Sequence, residues 1–378
     1  MPTAATNQQT AAEPSAQRGT ADLRVREFQP LPTPTELINE QPLGHRSASV
    51  IERGRNQVQA IMDGVDDRLL LIVGPCSIHD PLAGLVYARR LAELADLVRE
   101  DAMIVMRTYF EKPRTTVGWK GLINDPHLDG SHDIAGGLRA ARSLLLAVAD
   151  LGLPSATEFL EPISPQYVAD LISWGAIGAR TAESQVHRQL VSGLSMPIGF
   201  KNATDGDVQV AIDGCAAAAA AQSFLGIDGL GRASLVRTNG NPDTHLVLRG
   251  GASGPNYGPG PVARASERMR RAGENPRLII DASHGNSGKD HVREEQVAAE
   301  IAEQVAAVGP GASGGQAVAG VMLESFLVGG AQKLDVSVGS EQLTFGQSVT
   351  DACMSWEVTA EVVAALAAAA RRRRSGGA

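Results

Sequence analysis

Short, near-continuously apolar runs alternate along the chain with longer stretches whose apolar residues recur at helical spacing. The runs are Leu69–Cys76, Met103–Phe110, Ala156–Leu160, Ala176–Thr181, Pro197–Asn202, His245–Gly250, Leu278–His284 and Gly320–Ser325. Strands buried on both faces of a parallel sheet read this way. Amphipathic stretches, among them Leu82–Arg99, Gly136–Leu151, Pro165–Ser173 and Val208–Gln222, fill most of the intervals. Eight strands alternating with helices predict an α/β fold, a closed (β/α)8 TIM barrel rather than an open doubly wound sheet. Two further runs, Ser223–Ile227 and Ala233–Arg237 with Gly229 and Gly231 between them, predict an inserted β-hairpin before the sixth strand.

The ends of the chain read differently. Residues 1–20 are rich in Ala, Thr, Gln and Pro and are expected to be a disordered tail. Residues 21–65 form an N-terminal extension, 66–370 the barrel with its hairpin insert 223–237, and 371–378 a disordered basic tail. The four arginines of that tail suit either a solvated helix end or a polyanion. Apolar residues make up 43% of the 378 and charged residues 20%, enough for a sizeable core. No apolar run reaches the ~18 residues that a membrane span needs. The N-terminus lacks the charged and apolar regions of a secretory signal. Three cysteines, Cys76, Cys215 and Cys353, are too few and too scattered for a disulfide framework, so a cytoplasmic protein is expected. The net charge of −8 argues against nucleic acid as a partner, while leaving room for small anions held by a local cationic cluster.

Such a cluster is visible. In a barrel all C-terminal strand ends open onto one face, so residues far apart in sequence converge there. Arg107, Lys112, Arg114, Arg180, Lys201 and Arg249 all fall at or just beyond strand ends. Six cations in one mouth would repel unless ligands carrying several phosphate or carboxylate groups fill it; individually, each could instead pair with a local carboxylate. Cys76, His284 and Glu324 end the first, seventh and eighth strands, and Asp351 follows in the next loop. A thiolate, an imidazole and two carboxylates form a mixed set able to take Mn²⁺, Fe²⁺, Co²⁺ or Zn²⁺. The alternative for Cys76 is a small buried hydrophobe.

Eight blocks in order tie these residues to a known family: GPCSIHDP (Gly74–Pro81), EKPRTTVGWKGLINDP (Glu111–Pro126), GARTAESQVHR (Gly178–Arg188), GFKNATDG (Gly199–Gly206), LRGG (Leu248–Gly251), DASHGNSGK (Asp281–Lys289), GVMLES (Gly320–Ser325) and SVTDACMSWE (Ser348–Glu357). From about Asp22 to Glu357 the chain resembles type I, microbial-class 3-deoxy-D-arabino-heptulosonate 7-phosphate (DAHP) synthases. The resemblance implies condensation of phosphoenolpyruvate with erythrose 4-phosphate, the first step of the shikimate pathway. It implies one divalent metal ion on Cys76, His284, Glu324 and Asp351. By the same matching, Arg107 and Lys201 meet the carboxylate of phosphoenolpyruvate and Arg180 and Arg249 its phosphate. Lys112, Arg114 and Thr115 match the erythrose 4-phosphate site.

The metal would act as a Lewis acid on the aldehyde. Lys112, its pKa expected to be lowered by neighbouring cations, is the candidate proton donor to the nascent alkoxide, with His284 the other catalytic candidate. Glu158 is placed in the phosphoenolpyruvate site to orient water. Competing readings are condensation with arabinose 5-phosphate and a catalytically retired barrel that senses amino acids. His79 either lines the mouth or is structural, and Trp119, Trp174 and Trp356 read as packing residues. The resemblance also implies a homodimer or homotetramer with an aromatic amino-acid effector site, lined by Asp22, Pro165, Gln166, Gly193, Ser195, Phe224 and Gly226. Glycine at 226 leaves room for a phenolic oxygen, which favours tyrosine over phenylalanine, or else it only permits a bend in the hairpin.

Overall fold

The computed structural model describes residues 20–114, 118–307 and 313–376. It comprises two compact units, residues 1–31 and 32–378. Within the first, residues 20–31 are irregular and 20–30 exposed; Asp22 has φ 55°, and its carbonyl accepts the Val25 N–H at 3.0 Å. The expected tail over 1–20 lies outside the described residues except for its last position.

The second unit opens with two helices, α1 (Pro34–Glu40) and α2 (His45–Met62), where sequence reading assigned only an extension. Their signal is local. Thr33 caps α1 by accepting the Glu36 N–H at 3.2 Å, Glu36 returns its carboxylate to the Thr33 N–H at 2.7 Å, and Pro34 takes the first helical position.

The barrel follows as β1 (Leu69–Gly74), α3 (Pro81–Val98), β2 (Ala102–Arg107), α4 (Ile134–Asp150), β3 (Ser155–Glu158), α5 (Pro165–Val168), β4 (Trp174–Ile177), α6 (Gln185–Val191), β5 (Ile198–Lys201) and α7 (Gln209–Ala219). The hairpin β6 (Ser223–Ile227) and β7 (Ala233–Arg237) comes next, with the boundaries its sequence predicts. Then come β8 (Thr244–Leu248), α8 (Pro259–Arg271), β9 (Leu278–Asp281), α9 (His284–Ser287), α10 (His291–Ala306), α11 (Ser313–Ala317) and β10 (Val318–Glu324). A short pair, β11 (Val328–Ala331) and β12 (Gln347–Ser348), precedes the final helix α12 (Trp356–Gly376).

Eight strands close in the order β1-β10-β9-β8-β5-β4-β3-β2, and every pairing is parallel. This is the (β/α)8 barrel that the apolar runs predict. All residues of these strands are buried, because alternate side chains face either the barrel interior or the helices. Leu70, Ile72, Val105, Trp174, Val247, Ile279 and Met322 belong to one apolar cluster, while Leu71, Val73, Ile104, Leu246 and Leu323 join the larger one with the helices. Trp174 fills much of the interior and donates its Nε1–H to buried His245 at 3.1 Å. Room for it comes from Gly199, where a Cβ would stand 2.6 Å from the indole.

The structure differs from the sequence expectations in three places. Most of the barrel strands end a few residues early, because the chain leaves the sheet to build the mouth. The helix expected over Pro165–Ser173 is α5 followed by a 3₁₀ turn, Ala169–Leu171. Arginines capture the carbonyls there: Arg142 takes Tyr167 O at 2.9 Å, and Arg55 takes Ala169 O at 2.8 Å and Ile172 O at 3.0 Å. Finally, the basic end expected as a disordered tail is helical through Gly376. Arg371 and Arg374 both donate to buried Asp101, and Arg373 donates to the carbonyls of Val318 at 2.9 Å and Asp67 at 3.0 Å. Carboxylates and carbonyls at the N-terminal ends of the strands thus hold the cations of the last helical turns.

Candidate active site

Residues just beyond the strand ends meet in one mouth. Cys76 follows β1, Glu324 is the last residue of β10, and Asp351 lies in the loop before α12. Their ligand atoms all lie within 4.8 Å of one another. His284 opens α9 with φ 53°, a left-handed conformation that costs energy outside glycine. Its Nε2 stands 3.8 Å from Glu324 Oε1, and its Nδ1 lies 2.9 Å from Asp281 Oδ2 and 2.8 Å from Ser283 Oγ. Asp281 and Ser283 both flank Nδ1, with the hydrogen bond going to Ser283, and Nε2 is the nitrogen nearer Glu324; His284 itself stands outside the three residues whose ligand atoms lie within 4.8 Å of one another. Burial opposes a charge on Asp281, yet His284 and Lys201 hold it well below the usual carboxylate range.

The donor set fits a dication. Each anionic ligand already attracts a protein cation: Arg107 Nη2 meets Glu324 at 2.9 Å, Lys112 Nζ meets Cys76 Sγ at 3.2 Å, and Lys289 Nζ meets Asp351 at 3.1 Å. Burial, reinforced by Glu324, pushes the Cys76 thiol up, so a thiolate there calls for a neighbouring positive charge.

Lys112 departs from the sequence expectation. Burial works against its ammonium, but Cys76, Glu324 and Glu158 outweigh that cost, and the pKa is raised rather than lowered. The anionic ligands, not the arginines, dominate its surroundings.

The remaining cations line the same mouth, a cavity of about 120 Å³ bounded by Lys112, Arg114, Arg180, Lys201, Arg249 and Lys289 among others. Lys201 is buried, 3.2 Å from Asp281 and 3.8 Å from Glu158. Arg107 is fully buried and lies 3.8 Å above the Tyr109 ring. Arg180 and Arg249 make single bonds, to Pro113 O and Gly250 O, both at 3.3 Å, and neither enters an ion pair among the described residues. Their remaining N–H donors are available to an anion. Arg114 donates Nε–H to Trp119 O at 2.7 Å. Thr115, assigned to the same subsite, lies outside the described residues.

Asp281, Lys289, Tyr109 and Glu294 carry no role in the sequence reading. Asp281 and Lys289 stand inside a quoted block, and the three-residue step from Asp281 to His284 was its legible signal. Glu294, on α10, is buried and accepts the Glu324 N–H at 2.7 Å; nothing in sequence announces that contact. His79 packs edge-on against Phe326 and is buried, as are Trp119 and Trp174.

A second, larger cavity of about 1050 Å³ lies beside the hairpin. It brings together Pro165, Gln166, Gly193, Ser195, Phe224 and Gly226, and adds Glu52 and Arg55 of α2. Asp22 belongs to the separate N-terminal unit. A Cβ on Gly226 would come 2.8 Å from Val236 Cγ2, so a larger residue there must move Val236.

The sequence profile of the DAHP synthetase I family matches residues 46–364. The chain belongs to the DAHP synthetase I family. It is 55% identical over 352 residues to phospho-2-dehydro-3-deoxyheptonate aldolase of Corynebacterium glutamicum, covering 92% of this chain and 94% of that protein. The Phe-sensitive aldolase of the same name from Escherichia coli is 50% identical over 346 residues, covering 92% and 96%. The solved structure of the Francisella tularensis enzyme matches with a TM-score of 0.88 at 47% identity, covering 93% of this chain and 99% of that one. As a member of the DAHP synthetase I family the chain is a metal-dependent enzyme that forms a carbon–carbon bond in aromatic biosynthesis, condensing phosphoenolpyruvate with erythrose 4-phosphate. No helix among the described residues is long and apolar enough to cross a membrane.

Proposed function

We propose that Cys76, His284, Glu324 and Asp351 hold the divalent ion of this condensation, and that the cations of the mouth divide its two substrates between them. The observation that carries the reading is the pairing of three anionic ligands with three protein cations around one point. The bound ion supplies Lewis acidity at the aldehyde oxygen. Arg180 and Arg249, with donors to spare, bind the phosphate of phosphoenolpyruvate, and Arg107 and Lys201 its carboxylate. Lys112 and Arg114, with Thr115, hold erythrose 4-phosphate so that its carbonyl carbon faces carbon 3 of the enol. As the new bond forms, Lys112 Nζ, held 3.0 Å from the Cys76 carbonyl oxygen, delivers a proton to the alkoxide. Glu158, beside Lys201, orients the water that adds at carbon 2 before phosphate leaves.

Steady-state kinetics test the division. Arg180→Ala and Arg249→Ala should raise KM for phosphoenolpyruvate roughly tenfold or more with little effect on the sugar phosphate, and Arg114→Ala the reverse, since a charge-assisted contact is worth about 1.5–3 kcal/mol. Equal effects on both substrates in all three variants would contradict it.

The cavity at the hairpin is read as the site of an aromatic amino acid, tyrosine ahead of phenylalanine. Phe224 offers a ring to stack on, Ser195 and Gln166 offer polar contacts, and Gly226 adds no side chain where a phenol would extend. Leu225 and Leu235, exposed on the adjoining hairpin, support a homo-oligomer. Inhibition curves for tyrosine and phenylalanine on wild type and Gly226→Ser decide this. An unchanged order of potency, or no effect of tyrosine, would overturn it.

A further inference from the structure

The barrel face opposite the substrate mouth carries a second cationic cluster. Arg277 immediately precedes β9, and the neighbouring Leu278 pairs with Val318, the first residue of β10. Arg373 of α12 reaches the same edge, where Nη1 donates to Val318 O at 2.9 Å and Nη2 to Asp67 O at 3.0 Å. The Arg277 guanidinium lies against the turn between α2 and β1, since a Cβ on Gly64 would stand 3.2 Å from its Nη1. Both guanidiniums therefore converge on residues 64–67 from adjacent strand starts.

Arg277 is not satisfied there. Its Nε and Nη2 are buried and have no hydrogen-bond partner among the described residues. These two donors form one edge of the fork, the edge that takes two oxygens of a phosphate or carboxylate at once. A charged donor left buried without a partner is costly. The surrounding carboxylates are engaged elsewhere: Asp66 pairs with Arg68 at 2.6 Å, Asp67 with Arg374 at 3.2 Å, and Asp101 with Arg371 and Arg374. Asp63, the C-cap residue of α2, is exposed and bonds to neither arginine among the described residues. Burial, with Arg277 alongside, lowers Arg373 to about 10, and burial lowers Arg277 as well. Asp63 and Asp67 offset the two cations from a distance, but no carboxylate bonds to either guanidinium among the described residues.

We propose that Arg277 and Arg373 form a binding site for a small phosphate-type oxyanion at the N-terminal face of the barrel, separate from the substrate mouth. The oxyanion would take Arg277 through Nε and Nη2 and join β9 and α12 to the α2–β1 turn. Inorganic phosphate is the probe. Calorimetric titration of the full-length protein carrying Arg114→Ala, Arg180→Ala and Arg249→Ala, which removes arginines from both phosphate subsites of the mouth, should still register one phosphate per chain. Adding Arg277→Met should weaken that binding at least about tenfold, and Arg373→Met should do the same should the first variant fold poorly. In the otherwise wild-type chain Arg277→Met should leave turnover unchanged. Crystals of the wild type soaked in selenate should show the anion at Arg277 Nε and Nη2. Phosphate binding that persists in both variants, or selenate found only in the substrate mouth, would overturn the proposal.

Discussion

Lys112 Nζ lies 3.2 Å from Cys76 Sγ and 3.0 Å from the Cys76 carbonyl oxygen, so the candidate proton donor is anchored on a candidate metal ligand. The same side chain can therefore steady the thiolate and face the aldehyde. Replacing it separates the two roles. Lys112→Met should lower kcat by roughly 100-fold or more, the usual contribution of a positioned acid, while a metal titration shows that the ion still binds. A variant that loses the metal but turns over normally once metal is saturating would place Lys112 outside the chemistry.

Asp281 meets His284 Nδ1 at 2.9 Å as well as Lys201 Nζ at 3.2 Å. Asp281→Asn should cost roughly 10–100-fold in metal affinity, as loss of such an orienting partner does. Direct metal titration of the apoprotein measures this. Affinity equal to wild type would mean that the ring is oriented by Ser283 alone.

Glu111 carries a pH dependence. Its buried carboxyl accepts Ser164 Oγ–H at 2.9 Å and the Glu161 N–H at 3.1 Å, and burial nevertheless pushes it from 4.5 up to about 7. A raised folded-state pKa means that the folded protein keeps a proton the unfolded chain has lost between those values. The stability contribution is full below about pH 4.5 and lost as pH rises through about 7. At about 1.4 kcal/mol per unit, the loss is at most about 3.5 kcal/mol. Glu111→Gln, which mimics the protonated form, should gain on wild type in Tm from pH 5 to pH 8. A constant difference across that range would contradict the assignment.

The eight barrel strands, the hairpin and the gathering of the strand-end cations in one mouth were legible because buried parallel strands are apolar throughout and their polar ends mark the mouth. Lys112 lines the mouth, as its position after the second strand predicts, but its electrostatics were misjudged, since sequence shows the arginines nearby but not which carboxylates and thiol point at it. Glu294 was invisible, because a glutamate on an amphipathic helix reads as solvated until the helix is docked. Arg371 and Arg374 were read as a frayed end for the same reason. Their partner, Asp101, is 270 residues from Arg371 in sequence, and only barrel closure brings them together.

That docking is testable. Asp101→Asn leaves two arginines without their carboxylate and should lower stability by about 1–3 kcal/mol, read as a lower urea midpoint with an unchanged slope. An unaltered midpoint would show that α12 holds without this contact.

On the proposed reading, one ion at Cys76, His284, Glu324 and Asp351 makes this mouth catalytic. Phosphate release should be followed with phosphoenolpyruvate and erythrose 4-phosphate in chelated enzyme, before and after Mn²⁺ is restored, for wild type and His284→Ala. Chelated wild type should release no phosphate, Mn²⁺ should restore its release, and His284→Ala should not recover. Full turnover in metal-free wild type, or restoration of His284→Ala to wild-type rates, would contradict it.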